Sequence, residues 1–336
     1  MSECQSEPII LQHGLLDNSA TWILFNKTYN LPYILAKQGY DVWMTNNRGN
    51  IHSLGHTDPV NHNWRDTFSQ YWDFTYDELA KYDVRAHLDY ITHQTGSPKA
   101  IYVGHSQGTT QFWASACLDP DYLNSKVKAF IGLGPVIYVS HMWSPLARAL
   151  YNVRLFPFLG SLGLGNFLVT HSHLVNAGIR NICYSLPAVC WSIIELITGR
   201  NLEGIPVDLA RLNVMGSHEP GGTSMNNMNH WIQSIASSTF KMYDFGETEN
   251  LKRYGAKVPP EYDVSNLSTL EFPISLYIGK RDYLVAMEDA EALIALLPEV
   301  VEVNWLEDYA HLDYVWSKFA REDIFKRIEV WLDQVS

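Results

Sequence analysis

An α/β fold is what this sequence predicts: a mostly parallel sheet with helices on both faces, interrupted by a mainly helical insertion. Three observations predict it. Short β-branched or apolar runs alternate with helix-compatible segments over residues 1–135 and again over 246–336, as strand–helix–strand units do when they cover a parallel sheet. Gly104-His105-Ser106-Gln107-Gly108 sits where one such strand hands over to a helix. Between 136 and 245 the alternation stops, and apolar helical stretches punctuated by Pro145, Pro157 and Pro187 replace it. The expected division is a core (1–135), an inserted cap (136–245) with a lid over about 155–200, and the core again (246–336).

The elements follow in chain order. Pro8-Ile9-Ile10-Leu11 reads as a strand and leads into Gln12-His13-Gly14-Leu15-Leu16. A His-Gly turn after an early strand of such a sheet is where an oxyanion donor is placed, here the Leu15 N–H; the turn alone could equally be a plain turn. Leu31 to Gln38 is helical in pattern, Tyr40 to Met44 a strand, and Phe74 to Gln94 one long helix broken by Gly96-Ser97-Pro98. Ile101-Tyr102-Val103 is a buried strand, Thr109 to Leu118 the helix behind the Gly-x-Ser-x-Gly turn, and Val127 to Leu133 the next strand. In the insertion, Leu155 to Val169 and Ile182 to Ile197 are apolar, but glycines break the first and Pro187 and Glu195 the second, so neither spans a membrane. They read as buried cap helices or as a mobile lid whose apolar face meets lipid. Ser217 to Ser224 is a polar, glycine-rich loop. The sheet resumes at Ile274 to Ile278, followed by Lys280-Arg281-Asp282, a helix over Glu288 to Leu297, a strand over Val301 to Leu306, and a last amphipathic helix from about Ile324 to Gln334.

Composition narrows the function classes. With 18% charged and 13% aromatic residues, the chain is a compact globule with apolar surface to spare. Its net charge of −12 argues against nucleic acid, since nothing neutralises phosphates, and against purely electrostatic docking on anionic membranes. Thirteen histidines gain charge as pH falls and relieve acidic self-repulsion, so an acidic compartment is compatible. The cysteines at 4, 117, 183 and 190 contain no C-x-x-C pair, which disfavours a zinc ribbon or redox motif. Cys183 and Cys190 are near enough in sequence to close a small loop, a bridge compatible with an oxidising lumen, and Cys117 reads as a buried free thiol. His52, His56 and His62 share a loop, but no carboxylate or cysteine completes a metal set at ligand spacing; His171 and His173 have the same defect. No metal and no cofactor is expected. Asn26-Lys27-Thr28 and Asn266-Leu267-Ser268 have the form of glycosylation acceptors. The first residues have neither a basic n-region nor an apolar h-region, so the chain as written carries no signal peptide.

Ester chemistry needs a hydroxyl activated by an imidazole, a carboxylate to orient that imidazole, and donors for the oxyanion. Gly-x-Ser-x-Gly alone arises by chance in roughly one chain of this length in ten, and its strand–turn–helix setting is what makes it informative. Ser106, Asp282 and His311 occur in the order serine, acid, histidine, each just past a strand end. Asp308 and Asp313 are poorer acids because they share the histidine's loop. The oxyanion donors are the backbone amides of Leu15 and Gln107.

Several stretches resemble the acid lipase family, that of gastric lipase and lysosomal acid lipase, within the α/β-hydrolase superfamily. They are Leu11 to Leu16, Tyr40 to Trp43 with Asn47 to Asn50, Phe74 to Asp83, Gly104 to Thr110, Ser217 to Ser224 with Asn227-Met228 and His230-Trp231, and His311-Leu312-Asp313. The resemblance covers nearly the whole chain. It implies an α/β-hydrolase core with a cap and lid, and hydrolysis of triacylglycerols or steryl esters; the expected partner is a lipid ester at a lipid–water interface, and the expected state a monomer. It carries the nucleophile onto Ser106, the acid onto Asp282, the base onto His311 and the oxyanion donors onto Leu15 and Gln107. It also brings Cys183 and Cys190 near the family's lid disulfide, at a slightly tighter spacing. By resemblance the protein is secreted or lies in the lysosomal lumen; a cytosolic or lipid-droplet location is the alternative. An esterase for short soluble esters and a catalytically silent lipid-binding protein are the competing readings.

Overall fold

The computed structural model describes residues 6–25, 27–169, 181, 183–201, 212–298 and 301–335. In chain order the strands are β1 (Pro8–Gln12), β2 (Asp41–Thr45), β3 (Ala100–His105), β4 (Val127–Leu133), β5 (Asn166–Phe167), β6 (Thr223–Ser224), β7 (Ile274–Gly279) and β8 (Val301–Leu306). Six of them form one sheet in the order β2-β1-β3-β4-β7-β8, and every pairing in it is parallel. A parallel sheet must be buried on both faces, and the central strands β1, β3 and β7 are buried at every position.

Alternation along those strands sends side chains to two cores. Ile10, Tyr102, Phe130 and Leu276 face a core completed by Val84, Leu88, Phe112 and Trp113 from helices Val84–Thr95 and Gln107–Leu118. Ile9, Val103, Ile131 and Tyr277 face the other, closed by Leu31 and Leu35 of helix Leu31–Lys37 and by Ile328 and Leu332 of helix Lys326–Val335.

The segment expected to be one helix from Phe74 to Gln94 begins later and is not uniform. Thr75 and Glu78 cap it reciprocally, a wider π turn runs over Leu79–Asp83, and the regular helix follows from Val84 to Thr95, ending at Gly96 with φ 68°. The π turn carries Asp83, whose carboxylate takes the Arg48 N–H at 2.9 Å and its Nε–H at 2.7 Å. That pairing ties the loop after β2 to the helix.

Residues 136–245 hold short helices at Pro145–Asn152, Leu155–Ser161, Pro187–Thr198, Leu212–His218 and Met225–Ile235. The expected loop over Ser217 to Ser224 differs: its first two residues end a helix, and β6 pairs antiparallel with β5 in a two-stranded ribbon. Two residues per strand are too few for periodicity to register in a sequence. Phe156, Met225, Met228 and Ile232 make a small third core, against which Leu15 and Leu16 after β1 pack. Among the described residues no helix is long and apolar enough to cross a membrane.

Candidate active site

Ser106 sits between β3 and helix Gln107–Leu118 with φ 52° and ψ −122°, a left-handed region that costs a non-glycine residue about 1–3 kcal/mol. The flanking glycines let strand and helix close to that distance. A Cβ on Gly104 would lie 2.9 Å from the backbone of Gly108, and one on Gly108 would lie 2.6 Å from the Gln12 carbonyl oxygen. The turn is thus pressed against both the strand before it and the end of β1.

Two strand ends bring the other groups to the serine. His311, in the loop after β8, has its Nε2 2.6 Å from Ser106 Oγ and its Nδ1 2.8 Å from Asp282 Oδ2. Asp282, just beyond β7, has no side-chain exposure and that of His311 is 4%. Asp282 Oδ1 accepts the N–H groups of Leu284 and Val285, each at 2.9 Å, which leaves Oδ2 for the imidazole. Asp308, the rejected acid, pairs instead with Arg281 at 3.2 Å.

Two supporting groups carried no sequence signal of their own. The Tyr314 hydroxyl accepts the Gly279 N–H at 2.6 Å and donates to Asp282 Oδ2 at 3.3 Å; burial and then the neighbouring Asp282 charge hold the phenol well above its ordinary pKa, so it remains a donor. His105 donates from Nε2 to the His311 carbonyl at 2.9 Å, and burial depresses its pKa to about 3, keeping it neutral. The segment after helix Pro187–Thr198 reaches the same loops, since the Thr198 carbonyl accepts N–H groups from both His311 (3.0 Å) and Tyr283 (3.3 Å).

The amides of Leu15 and Gln107 donate to no acceptor among the described residues. His13 braces the Leu15 loop. Its Nδ1–H donates to the Gly14 carbonyl at 2.8 Å and its Nε2 accepts the Asn47 N–H at 3.2 Å, while burial lowers its pKa to about 4. Gln107 is held through its side chain: Oε1 accepts the Trp231 indole N–H at 2.7 Å and Asn227 Nδ2 at 2.9 Å, both on helix Met225–Ile235. Indole nitrogen is only a donor, so these bonds fix which end of the Gln107 amide faces that helix.

The remaining singled-out residues lie elsewhere. His56 and His62 stack with ring centroids 4.0 Å apart, and among the described residues no group of three or more His, Cys, Asp or Glu is arranged to hold a metal ion. His171, His173, Cys4 and Asn26 lie outside the described residues. Asn266 Nδ2 donates to the Cys117 carbonyl at 2.8 Å. Cys183 and Cys190 are disulfide-bonded, and Cys117 is a buried free thiol pushed up to about 12.

Residues 7–158 match the family model of the alpha/beta hydrolase fold, and the all-parallel sheet agrees with it. A solved structure of a soluble variant of monoglyceride lipase from Saccharomyces cerevisiae shares that fold, with a TM-score of 0.54 at 15% identity, covering 100% of this chain and 88% of that one. Within the superfamily the relation is nearer. Gastric triacylglycerol lipase of Mus musculus is 33% identical over 323 residues, 95% of this chain and 78% of the relative. Lysosomal acid lipase/cholesteryl ester hydrolase of Homo sapiens is 32% identical over 324 residues, again 95% and 78%. The chain belongs to the family of gastric and lysosomal acid lipases, and it is a carboxylic ester hydrolase.

Proposed function

We propose that the protein hydrolyses lipid carboxylic esters, triacylglycerols or steryl esters, through an acyl-enzyme on Ser106. One observation carries the reading: the imidazole of His311 bridges Ser106 Oγ and Asp282 at 2.6 and 2.8 Å in a buried site. His311 Nε2 takes the hydroxyl proton as Oγ attacks the ester carbonyl, and Asp282 stabilises the imidazolium and fixes its tautomer. The oxyanion is met by the N–H groups of Leu15 and Gln107, the latter at a helix N-terminus. His311 then returns the proton to the departing alkoxide, and water releases the fatty acid by the same steps.

A lipid substrate is supported by the relatives, named as triacylglycerol lipases and a cholesteryl ester hydrolase, and by the apolar surface of the insertion. We assign residues 136–245 as a cap with its lid over about 155–200, where Tyr184, Leu186, Val189, Ile193 and Leu196 present exposed apolar side chains. The relatives' gastric and lysosomal names, and the bond between Cys183 and Cys190, support a secreted or lumenal location, where we propose that the chain acts as a monomer at the lipid–water interface.

The test is fatty-acid release from emulsified triolein and cholesteryl oleate by the chain and its Ser106→Ala variant, at about pH 5 and about pH 7.5. Serine-dependent release, with a rate that jumps above the substrate's solubility limit, is expected. Cleavage confined to short soluble esters would overturn the lipid assignment, and unchanged release by Ser106→Ala would overturn the triad.

A further inference from the structure

Beneath the Leu15 loop lie two carboxyl groups that ester hydrolysis does not use. Asp17 follows Leu15 and Leu16, is 8% exposed, and accepts the Asn18 N–H on Oδ1 at 2.8 Å. Its Oδ2 is shut off from solvent, as is Oε1 of Glu219 in the loop after helix Leu212–His218, and neither oxygen has a donor from another group among the described residues. Each carboxyl lies close enough to feel the other. Two negative charges cannot share a buried site of this kind, so the pair keeps a proton between them.

The segments carrying the pair meet along their length. Gly221 N–H donates to the Leu16 carbonyl at 2.6 Å, and Asn18 Nδ2 to the His218 carbonyl at 2.7 Å. A Cβ on Gly221 would lie 2.5 Å from the Asp17 carbonyl oxygen, so the approach leaves no room for a side chain. Leu16 is held at φ 61°, a conformation leucine keeps only where its surroundings impose it. The Gly14–Leu16 loop therefore depends on what clamps it, and the carboxyl pair is part of the clamp.

We propose that Asp17 and Glu219 are positioning residues for ester hydrolysis: the proton they share holds the Leu15 loop on the cap, and its loss lets the Leu15 N–H leave the oxyanion site. This rests on the reading that Leu15 donates to the oxyanion. Among the described residues no neighbouring charge offsets a second ionisation. His13 at the end of β1 is neutral, Arg48 in the loop after β2 is paired with Asp83, and His52 and His218 flank the contact without an ion pair to either carboxyl. The short helix Ser19–Ile23 contributes only the Thr21 hydroxyl. Burial raises Asp17 to about 6, and burial together with the Asp17 charge raises Glu219 well above the carboxylate range. A raised acid pKa means the folded chain keeps its proton where the unfolded chain has lost it. The pair therefore holds its shared proton at acid pH and gives it up only as pH rises through the higher of the two folded-state values, that of Glu219.

The experiment compares kcat on a soluble short-chain ester, 4-methylumbelliferyl butyrate below its solubility limit, at about pH 8 and about pH 5. Wild type, Glu219→Gln, Asp17→Asn and Ser106→Ala are measured in parallel. An amide at either position supplies a donor that does not titrate, so the ratio of kcat at the higher to the lower pH is expected to rise at least about threefold in both amide variants, with KM changed less than kcat. Asp17→Asn serves if Glu219→Gln fails to fold. A wild-type ratio in the folded variants overturns the clamp. Retained hydrolysis by Ser106→Ala would instead overturn the triad, so the two failures are distinguishable.

Discussion

Gly108→Ala tests the idea that the nucleophile turn and the oxyanion loop are built against each other. The new methyl carbon would stand 2.6 Å from the Gln12 carbonyl oxygen and 2.9 Å from that of His13. Measured against the 3.4 Å of ordinary contact, it is short by about 0.8 Å at the first and about 0.5 Å at the second. Both atoms are backbone, at the end of β1, and cannot swing aside as a side chain would. Either helix Gln107–Leu118 retreats, carrying Ser106 and the Gln107 N–H, or the end of β1 does, carrying Leu15. In both cases the distance between the two amides grows by much of that shortfall. A catalytic group misplaced by about 1 Å costs about 10²-fold, and losing one oxyanion donor costs about 10²–10³. We expect kcat to fall about 30–300-fold, with KM within about threefold and stability lower by about 1–3 kcal/mol for overpacking. Steady-state kinetics on a soluble ester, with a thermal melt of the same sample, measures both. A folded Gly108→Ala protein with kcat within fivefold of wild type would refute the coupled-donor reasoning.

Asp282→Asn leaves His311 without its carboxylate and should lower kcat about 10³–10⁴-fold with little change in KM, read on the same ester. Trp231→Phe removes the 2.7 Å bond to Gln107 but keeps a ring on helix Met225–Ile235, leaving Asn227 as the only holder of that side chain among the described residues. We expect about 1 kcal/mol less stability and a drop of about 3–10-fold in kcat rather than KM, by melt and kinetics. Buried His13, His105 and His230, at about 4, 3 and 3, stay neutral while the unfolded chain protonates, so they remove stability as pH falls below about 6.5. Asp17, Asp77 and Asp313, raised to about 6, 6 and 7, act in the opposite sense over the same window, and the raised Glu219 is offset by the lowered His87. The melting midpoint should therefore be nearly flat between about pH 4.5 and about pH 6, and Asp313→Asn should tilt it so that stability falls by about 1 kcal/mol per pH unit on acidification.

The parts of this architecture that a sequence displays are those with a local rule behind them. Strand and helix alternation, the paired glycines around Ser106, and the order of Ser106, Asp282 and His311 each follow from backbone sterics or chain connectivity. Gln107 shows the boundary. Its place after the serine marks its amide as an oxyanion donor, yet the clamp on its side chain joins it to Trp231, 124 residues away. Tyr314 and His105 are similar, because aromatic residues in apolar surroundings read as core until the partner atom is known. The π turn at Leu79–Asp83 shifts one helix by a single residue, too small a change for amphipathic spacing to reveal. The β5–β6 ribbon is set by a contact between segments 57 residues apart, beyond any local pattern.

The most direct measurement of the central claim is mass spectrometry of the intact protein after exposure to a fluorophosphonate, followed by peptide mapping. The account predicts one covalent adduct per chain, on Ser106, formed far more slowly in His311→Ala and absent in Ser106→Ala. An adduct on another residue, or none on a folded and otherwise wild-type chain, would contradict it.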